Sequence, residues 1–402
     1  MKLIKSKYLP TKGNLLSGGM QAMATFAPLM VGAMANKKPS LDNFATSFDS
    51  IDKEKEEILQ RAEWLSQKLI TNPKDLLESY PKILGSYYGP QWSIYSCVMF
   101  IAALSNIARI WPDQQEKCLE RIEKLLPLLL SEELRRYDTR EWHEDALASL
   151  HGNKDHLTYL SLLAWSISLY RLAGGGNRYD QLFKDCCEAL HRRMLRSKNL
   201  NLRSFPDKPF FSADFLVALV AFHNYTLIFN DSRFEATIDR WLSLSDTVWK
   251  NPKTGLLVST LYTNRKGPVK GCYTGLNNFW LSLLDRPSFA SDQYNRMKKH
   301  LAKIGKLSGI KEYLYKSPRL AFDPNSGPVV EGMSPSGTAF AIGSATFHGD
   351  WQFRNEMLAT AQKAGGDVQK KGLRHYKLGE FALVGEATVL AMRTNINFRQ
   401  TF

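Results

Sequence analysis

The segment LTYLSLLAWSISLYRLA, from Leu157 to Ala173, presents apolar or small residues on nearly every side of a helix. A helix without a polar face must be enclosed by the rest of the protein. The segment that follows, YDQLFKDCCEALHRRML from Tyr179 to Leu195, places apolar residues at three- and four-residue intervals and charges on the other face. This pair therefore predicts a buried helix followed by an outer helix.

The same alternation recurs along the chain. Amphipathic, charged segments span residues 53–69, 115–130, 179–195, 232–249 and 291–305. Between them lie segments without a polar face, which recur at intervals of about sixty residues. These segments begin near Trp92, Thr158, Asp214, Gly275, Ser336 and Glu380. The pattern predicts an all-α (α/α)6 toroid, in which six helical hairpins close into a ring with inner and outer helices.

One segment has the pattern of a β-hairpin. In NPKTGLLVSTLYTNRKG, residues 251–267, the run LLVSTLY alternates after a glycine turn. We expect it to be one short insertion in a single toroid domain that spans residues 50–402.

Composition limits the class of protein. With 402 residues, 44% of them hydrophobic, the chain can bury a large core. Its formal charge of +14 would suit an anionic partner, but the lysines and arginines are scattered along the sequence. No zinc-ligand spacing or RNA-binding aromatic motif accompanies them. We therefore expect a small-molecule substrate and no nucleic-acid partner.

The first 36 residues form a separate segment. Four lysines precede an uncharged stretch, Gly13–Asn36, that ends in the small residues AMAN, which is the layout of an export signal. This layout favours an exported or periplasmic protein. Membrane association through this segment, and an N-terminal arm on a cytoplasmic protein, remain open. No second candidate span is read from the sequence, so the body is expected to be soluble.

The five cysteines form neither a CxxC motif nor a Cys/His ligand pattern, so the sequence predicts no disulfide framework and no metal site. Cys186 and Cys187 lie in a helical pattern and are interpreted as packing residues. Cys272 stands in the loop sequence GPVKGCYTG, where its thiol could be exposed. Because no base is identifiable beside it, an inert thiol that contacts the substrate is favoured over a nucleophile.

Each long irregular segment precedes an inner helix. These segments span residues 86–91, 151–156, 203–213, 264–274, 322–335 and 371–378. In a toroid, such loops and the N-termini of the inner helices lie on one face and surround a central funnel. Loops on a rigid scaffold around a concave site are where binding and catalysis are expected.

Three carboxylates are candidates for acid/base chemistry in this funnel. Asp214 opens the third inner helix, where it could cap the helix or, beside Phe211, act as a desolvated acid or base. Asp323 and Glu331 flank the SGP turn of DPNSGPVVEGM. Asp323 could be a turn residue, whereas Glu331 has apolar neighbours that favour an inward position. Two carboxylates on facing loops would permit paired acid and base work, as in a glycosidase.

His156 is a further catalytic candidate because imidazole titrates near neutral pH. It lies in sequence near His143 and His151 without an HExxH spacing, so a surface or hydrogen-bonding role is the alternative. Aromatic side chains are expected to wall the funnel, although such residues near helix starts are more often core. The candidates for substrate contact are Tyr88, Trp92, Tyr159, Phe211 and Tyr313.

Several segments resemble the linalool dehydratase/isomerase-like proteins, a family of α/α toroids. HLTYLSLLAWSISLYRLAGGGNRYDQL (156–182) is similar to the family's inner helix, glycine turn and next outer helix. RSFPDKPFFSADFLVALVAFHNY (203–225) is similar to its Pro-Asp loop, and NPKTGLLVSTLY (251–262) to its hairpin. DPNSGPVVEGMSPSGTAFAIGSATFHGD (323–350) resembles an acidic loop of the family's uncharacterised members. The resemblance implies the toroid, its funnel and, from the terpene enzyme, a homo-oligomer.

The resemblance does not extend to the chemistry of linalool. The family's enzyme uses two cysteines on the Pro-Asp loop, and the matching positions here are Ser204 and Ala213. Its inner-helix histidine matches Leu162. The carboxylate of Asp214 stands at the end of the loop instead, which argues against the same cysteine-dependent reaction.

The sequence favours an enzyme without a cofactor that acts as a lyase, isomerase or hydratase on a small hydroxylated or terpenoid-like molecule. Its acid/base pair would be Asp214 with Asp323 or Glu331. A carbohydrate-active toroid, either a glycoside hydrolase or a polysaccharide lyase, is the alternative. A non-catalytic binding protein is the third reading, because a fold alone does not give a function.

Overall fold

The computed structural model describes residues 41–80, 85–315 and 318–399, and for residues 85–88 it describes the backbone alone. The segment 1–36, interpreted above as an export signal or arm, lies outside the described residues. The helices, in chain order, are α1 (Lys55–Leu69), α2 (Pro73–Glu78), α3 (Gly85–Ile110), α4 (Gln115–Leu130), α5 (Glu132–Trp142), α6 (Leu157–Leu172), α7 (Asp180–Leu195), α8 (Ser212–Phe229), α9 (Glu235–Val248), α10 (Gly271–Leu283), α11 (Pro287–Met297), α12 (Pro335–Phe347), α13 (Trp351–Gly365) and α14 (Leu383–Arg393).

Six helices form a closed inner ring. Helices α3, α6, α8, α10, α12 and α14 pack each against the next, and α14 packs back against α3. In α6 every residue from Leu157 to Tyr170 is buried, as its sequence without a polar face predicts. The predicted (α/α)6 toroid is therefore confirmed.

The amphipathic helices lie outside this ring. Helices α4, α7, α9, α11 and α13 each follow an inner helix and pack against it, and α1 packs against α14. The sequence patterns did not identify α13, which is the sixth outer helix. They also extended α11 too far: it ends at Met297, and Leu301–Ile304 forms a strand before a turn at Gly305 with φ of 57°.

The strands are short and antiparallel. They are β1 (Phe210–Phe211), β2 (Thr260–Leu261), β3 (Leu301–Ile304), β4 (Leu307–Ile310), β5 (Leu320–Asp323), β6 (Gly327–Val330), β7 (Asp367–Lys370) and β8 (Leu373–Tyr376). The β-hairpin predicted within residues 251–267 is present as single antiparallel bridges, Lys250 with Leu257 and Leu261 with Lys266, and β2 also pairs with the distant β1. Within the described residues, β3–β4, β5–β6 and β7–β8 form three further hairpins, which the sequence patterns did not predict.

Two inner helices are long and apolar enough to cross a membrane, although no candidate span beyond residue 36 was predicted from the sequence. They span Gly89–Ile110 and Ser212–Phe229, and 83% and 78% of their apolar windows are buried inside the ring. Their apolar character is thus accounted for by the surrounding helices, since the buried core helix of a toroid has the same composition.

Buried ion pairs join the two ends of the ring. Glu54, just before α1, accepts hydrogen bonds from Arg354 on α13 and Arg393 on α14 at 2.7–3.0 Å, and all three side chains are 0% exposed. Glu57 also accepts from Arg393 at 2.6 Å, and Arg61 donates to Glu57 at 3.0 Å. We call these five residues the ring clasp. It fixes α1 beside the last hairpin and so completes the toroid.

Candidate functional site

A cavity of about 360 Å³ opens at the N-terminal ends of the inner helices. Every inner helix contributes to its lining. Examples, in chain order, are Trp92, Thr158, Asp214, Cys272, Phe340 and Val389. All of these residues except Val389 lie in the first half of their helices, so the cavity occupies the location predicted for the funnel.

Most of the cavity wall is apolar. Phe205 and Phe211 come from the loop before α8, Phe322 comes from β5, and Leu276 and Phe340 come from α10 and α12. The Phe211 ring is almost parallel to that of Tyr273, with centroids 6.1 Å apart. Such a wall favours a ligand with apolar surface or with a flat face that can stack.

Asp214 is one of two carboxylates found among the described residues that line this cavity, and the other, Glu386, is paired with Arg61 at 2.7 Å. It is 9% exposed, and its Oδ2 accepts hydrogen bonds from the hydroxyl groups of Thr158, at 2.6 Å, and Ser204. Burial raises the pKa of Asp214, and the two hydroxyl donors offset only part of this effect. Helix α8 begins after Phe211, whose side chain makes no cap hydrogen bond. The observed hydrogen-bond donors to Asp214 are side-chain hydroxyl groups, whereas a helix cap accepts hydrogen bonds from backbone amides.

Two tyrosines share the electrostatic environment of Asp214. Burial, followed by the charge of Asp214, raises the pKa of Tyr95 well above its usual range. The same two causes raise the pKa of Tyr273, and the Cys272 thiol adds to them. Both tyrosines line the cavity and remain neutral phenols at neutral pH. Tyr273 thus interacts electrostatically with both Asp214 and Cys272, which belongs to a second polar cluster.

This second cluster consists of Lys270, Cys272, Glu312 and Asp323. The Cys272 thiol donates to Glu312 Oε1 at 3.2 Å, and the Cys272 backbone amide donates to Glu312 Oε2 at 2.8 Å. The Lys270 ammonium forms an ion pair with Asp323 and lies 3.7 Å from Glu312 Oε1. Burial raises the pKa of Glu312, whereas the charge of Lys270 lowers it. Glu312 is completely buried. A buried charge needs a nearby opposite charge, and Lys270 supplies it.

The fold brings these residues together through close backbone contacts. The Gly271 amide donates to the Glu312 carbonyl at 2.9 Å, and the Glu312 amide donates to the Gly332 carbonyl at 2.8 Å. A Cβ atom on Gly271 would lie 2.4 Å from the Lys311 carbonyl oxygen, so only glycine permits this approach. The glycine before Cys272 therefore sets the distance between the thiol and its carboxylate.

Three residues of the second cluster carry atoms that are able to bind a metal ion. Ligand atoms of Cys272, Glu312 and Asp323 lie within 4.8 Å of one another. The Lys270 ammonium, however, contacts both carboxylates and supplies the positive charge that a cation would bring. Donor chemistry therefore favours a lysine-balanced cluster over a metal centre.

Several predicted site residues lie at the cavity. Trp92, Phe211, Cys272 and Asp214 line it. Asp323 lies beside it in the second cluster, and its Oδ1 also accepts from the amide of Asn325 at 2.9 Å. Asp323 is thus a turn residue, which was one of its two predicted roles, and it is also a partner of Lys270, which the sequence did not predict.

Other predicted residues are placed elsewhere. Glu331 does not point inward: its side chain is 48% exposed and faces Arg319 at 3.9 Å, because φ of 47° at this residue turns the chain outward after β6. His156 is completely buried, with Nδ1 2.6 Å from an Asp138 oxygen, and is absent from the cavity lining. This partner comes from α5, which the helix pattern did not show.

Of the three remaining aromatic residues that were predicted to contact the substrate, the two whose side chains are described do not line the cavity. The hydroxyl of Tyr159 donates to the Leu129 carbonyl at 2.9 Å, so this side chain points toward the outer helix α4. Tyr313 is half-buried and forms a β-bridge with Lys270 beside the second cluster. The side chain of Tyr88 lies outside the described residues.

Sequence reasoning missed polar residues that the fold adds to the site. Tyr95, Tyr273, Lys270 and Glu312 were not singled out, and Ser204 was noted only as a position that matches a family cysteine. Tyr95 and Tyr273 lie one helical turn or less from predicted lining residues, so helical spacing could have indicated them. Glu312 is 40 residues from Cys272, and no local pattern predicts that contact.

Comparisons with known proteins found distant structural neighbours. No family model and no curated protein matches the chain. A glycoside hydrolase of family 105 from C. acetobutylicum ATCC 824 is 13% identical, with a TM-score of 0.49 over 74% of this chain and 92% of that one. A polysaccharide lyase is 12% identical, with a TM-score of 0.43 over 84% of this chain and 99% of that one.

Proposed function

We propose that the protein is an enzyme that uses acid/base chemistry on a small, largely apolar molecule carrying a hydroxyl group, as a lyase, isomerase or hydratase. The observation that carries this proposal is the Asp214 carboxyl, buried at the wall of an apolar cavity with its pKa raised by burial. A carboxyl of this kind can hold a proton closer to neutral pH than an exposed one.

The size of the cavity supports a small ligand. Its volume of about 360 Å³ lies at the lower end of the 300–1,000 Å³ that is usual for pockets binding small molecules. Phe205, Leu276, Phe322 and Phe340 offer an apolar surface to the body of the ligand. This combination of a carboxyl without a cationic partner, Asp214, and an apolar wall suits a hydroxylated, terpenoid-like molecule.

Asp214 would act as the general acid. Thr158 and Ser204 both bind Oδ2 and hold the carboxyl group in one orientation, so Oδ1 is the oxygen available to a ligand hydroxyl. Proton transfer to that hydroxyl makes water the leaving group, and the reverse transfer returns the proton to Asp214 during hydration. The phenols of Tyr95 and Tyr273 can donate hydrogen bonds to the same hydroxyl oxygen.

A carbohydrate-active enzyme is the second candidate. It is favoured by the near-parallel rings of Phe211 and Tyr273, which form a platform on which a sugar ring can stack. Asp214 would then be the acid that protonates the glycosidic oxygen of the leaving sugar. The two candidates differ in whether the ligand is mainly apolar or mainly hydroxylated.

The test is thermal unfolding of the full chain with terpene alcohols, hydroxy acids and oligosaccharides, followed by product analysis for the class that binds. A ligand that binds only the folded state raises the Tm. We expect terpene alcohols to do so, with turnover that falls about 10²–10⁴-fold in Asp214→Asn. The matched control is Asp207→Asn, which changes an exposed carboxylate of the same loop and keeps an αL conformation that asparagine tolerates.

The outcomes separate the candidates. Binding and turnover of oligosaccharides alone would replace the proposal by the carbohydrate reading. A ligand that binds without turnover would support a binding protein. Equal turnover by Asp214→Asn and Asp207→Asn would remove Asp214 from the chemistry.

A further inference from the structure

Cys272 differs from the other four cysteines. All five are buried, and burial raises the pKa of each thiol, to about 11 for Cys118 and about 12 for Cys97 and Cys186. Of the five, Cys272 alone is found in the cavity lining of the described residues. Its thiol also donates to a buried carboxylate, Glu312, at 3.2 Å.

We propose that Cys272 is a nucleophile for the carbonyl carbon of a small ester with an apolar acyl group, with Glu312 as its general base. The thiol lines the cavity, the carboxylate is within hydrogen-bond distance, and the apolar wall offers space for the acyl chain. A thiol with a carboxylate acceptor at this distance has the geometry of an activated nucleophile, in which base and nucleophile are in contact before reaction.

Glu312 is needed because the thiol is not ionised by itself. Burial raises the pKa of Cys272 well above the ordinary range for a thiol, and the charge of Glu312 adds to this effect. A preformed thiolate is therefore excluded at neutral pH, and the proton must leave during attack. Burial also raises the pKa of Glu312, which makes this carboxylate a stronger base than one in water.

The step balances within the cluster. As the sulfur–carbon bond forms, the thiol proton moves to Glu312 Oε1 and the carbonyl electrons move onto the carbonyl oxygen. When the carbon–oxygen bond to the leaving group breaks, that group takes the proton back from Glu312, and the acyl group remains on Cys272 as a thioester. Water then attacks the thioester, releases the acid and returns the proton to the thiol.

Backbone contacts keep the two reacting groups in place. Glu312 Oε2 accepts from the Cys272 amide at 2.8 Å, so one oxygen is fixed while the other faces the sulfur. The Lys270 ammonium lies 3.7 Å from that second oxygen and balances its charge. Both features hold Glu312 ready to receive a proton without a change of conformation.

This inference goes beyond the acid/base function proposed above. It depends on the same cavity but not on Asp214, because adduct formation on sulfur needs no proton from that carboxyl. The two proposals therefore fail separately: one is measured by turnover of a hydroxylated ligand, the other by a covalent bond to Cys272.

The test uses the full chain and p-nitrophenyl acetate as the probe. We expect a burst of p-nitrophenolate of about one equivalent per chain, and one acetyl group that peptide mass mapping assigns to Cys272. In wild-type protein the four remaining buried cysteines are internal controls. Cys272→Ala removes the burst, whereas Cys118→Ala retains it.

The base is tested by Glu312→Gln, whose side chain has nearly the same shape. We expect the acetylation rate to fall at least about a hundredfold while the adduct, once formed, still maps to Cys272. If this variant does not fold, as judged by its Tm, the wild-type mapping still decides the site. Acetylation of Cys118 or Cys97 as fast as Cys272, or an unchanged rate in folded Glu312→Gln, would overturn the proposal.

Discussion

Two groups of buried carboxylates in this protein have opposite acid/base properties. In the ring clasp, burial alone would raise the pKa of Glu54, but the guanidinium groups of Arg393 and Arg354 lower it to about 2. At the cavity, Asp214 is bound by two hydroxyl groups, and burial raises its pKa. The partners of a carboxylate, and not its depth, therefore decide whether it holds a charge or a proton.

This difference in partners distinguishes carboxylates with a structural role from carboxylates that can take part in a reaction. A carboxylate matched by arginines is permanently charged and holds elements together, as Glu54 does for α1, α13 and α14. A carboxylate bound by hydroxyl groups can exchange a proton with a ligand, as we propose for Asp214. Perturbed pKa values beside a cavity are more informative for function than buried ion pairs within the wall.

The largest expected effect comes from breaking the clasp. Glu54→Gln leaves the side chains of Arg354 and Arg393 buried without their shared carboxylate, so we expect a loss of about 3–5 kcal/mol in the free energy of unfolding. Urea titration followed by far-UV circular dichroism measures it. The control is Glu56→Gln, an exposed neighbour two residues along the chain. Equal stability of the two variants would mean that the clasp does not close the ring.

An effect of pH on stability, opposite in sign at the two regions, is also expected. The folded pKa values of Glu54 and Glu57 lie at about 2, below the ordinary 4.5, so their contribution is present above about pH 4.5 and lost as the pH falls toward 2. The folded pKa of Asp214 is raised above 3.8, so its contribution is present below pH 3.8 and is lost as the pH rises through the folded value.

Asp214→Asn isolates the second of these effects. Asparagine keeps the shape and an acceptor oxygen but cannot ionise. We therefore expect the free energy of unfolding to change by about 1 kcal/mol or less. We also expect that it no longer decreases as the pH rises through the folded pKa of Asp214. Urea midpoints of both proteins across a pH series measure this. A decline of the same size in the variant would show that another group causes it.

The smallest effect is expected at Glu331. Because this side chain is 48% exposed and lies 3.9 Å from the still more exposed Arg319, Glu331→Gln should alter the free energy of unfolding by about 0.5 kcal/mol or less. Ligand-induced Tm shifts should be unchanged as well. A larger change in either quantity would return Glu331 to the site.

Sequence periodicity was enough to predict the toroid. A helix such as α6 has no polar face, and this requirement for enclosure leaves few arrangements other than a ring inside outer helices. The four-residue strands were missed because a segment such as Leu301–Ile304 is too short for period two to be distinguished from a helical turn. Helix α13 was missed because its alanines and small polar residues weaken the contrast between its faces.

The site was predicted only in part. Asp214 and Cys272 follow from their positions at inner-helix starts, which the periodicity locates. Glu312 does not, because its contact with Cys272 depends on the close approach that Gly271 allows between α10 and the segment after β4. No base beside Cys272 is identifiable in the sequence, and the tertiary structure supplies Glu312 in this position.

The ring clasp also affects how the protein is made. Glu54 and Arg393 are 339 residues apart, so Glu54 leaves the ribosome long before its partner is synthesised. Until α14 is synthesised, the ring is open, because α3 and α12 both lack the inner helix that packs between them. Contacts of such long sequence separation form late and slowly. A nascent chain of this protein is therefore expected to close its ring only after α14 has been synthesised.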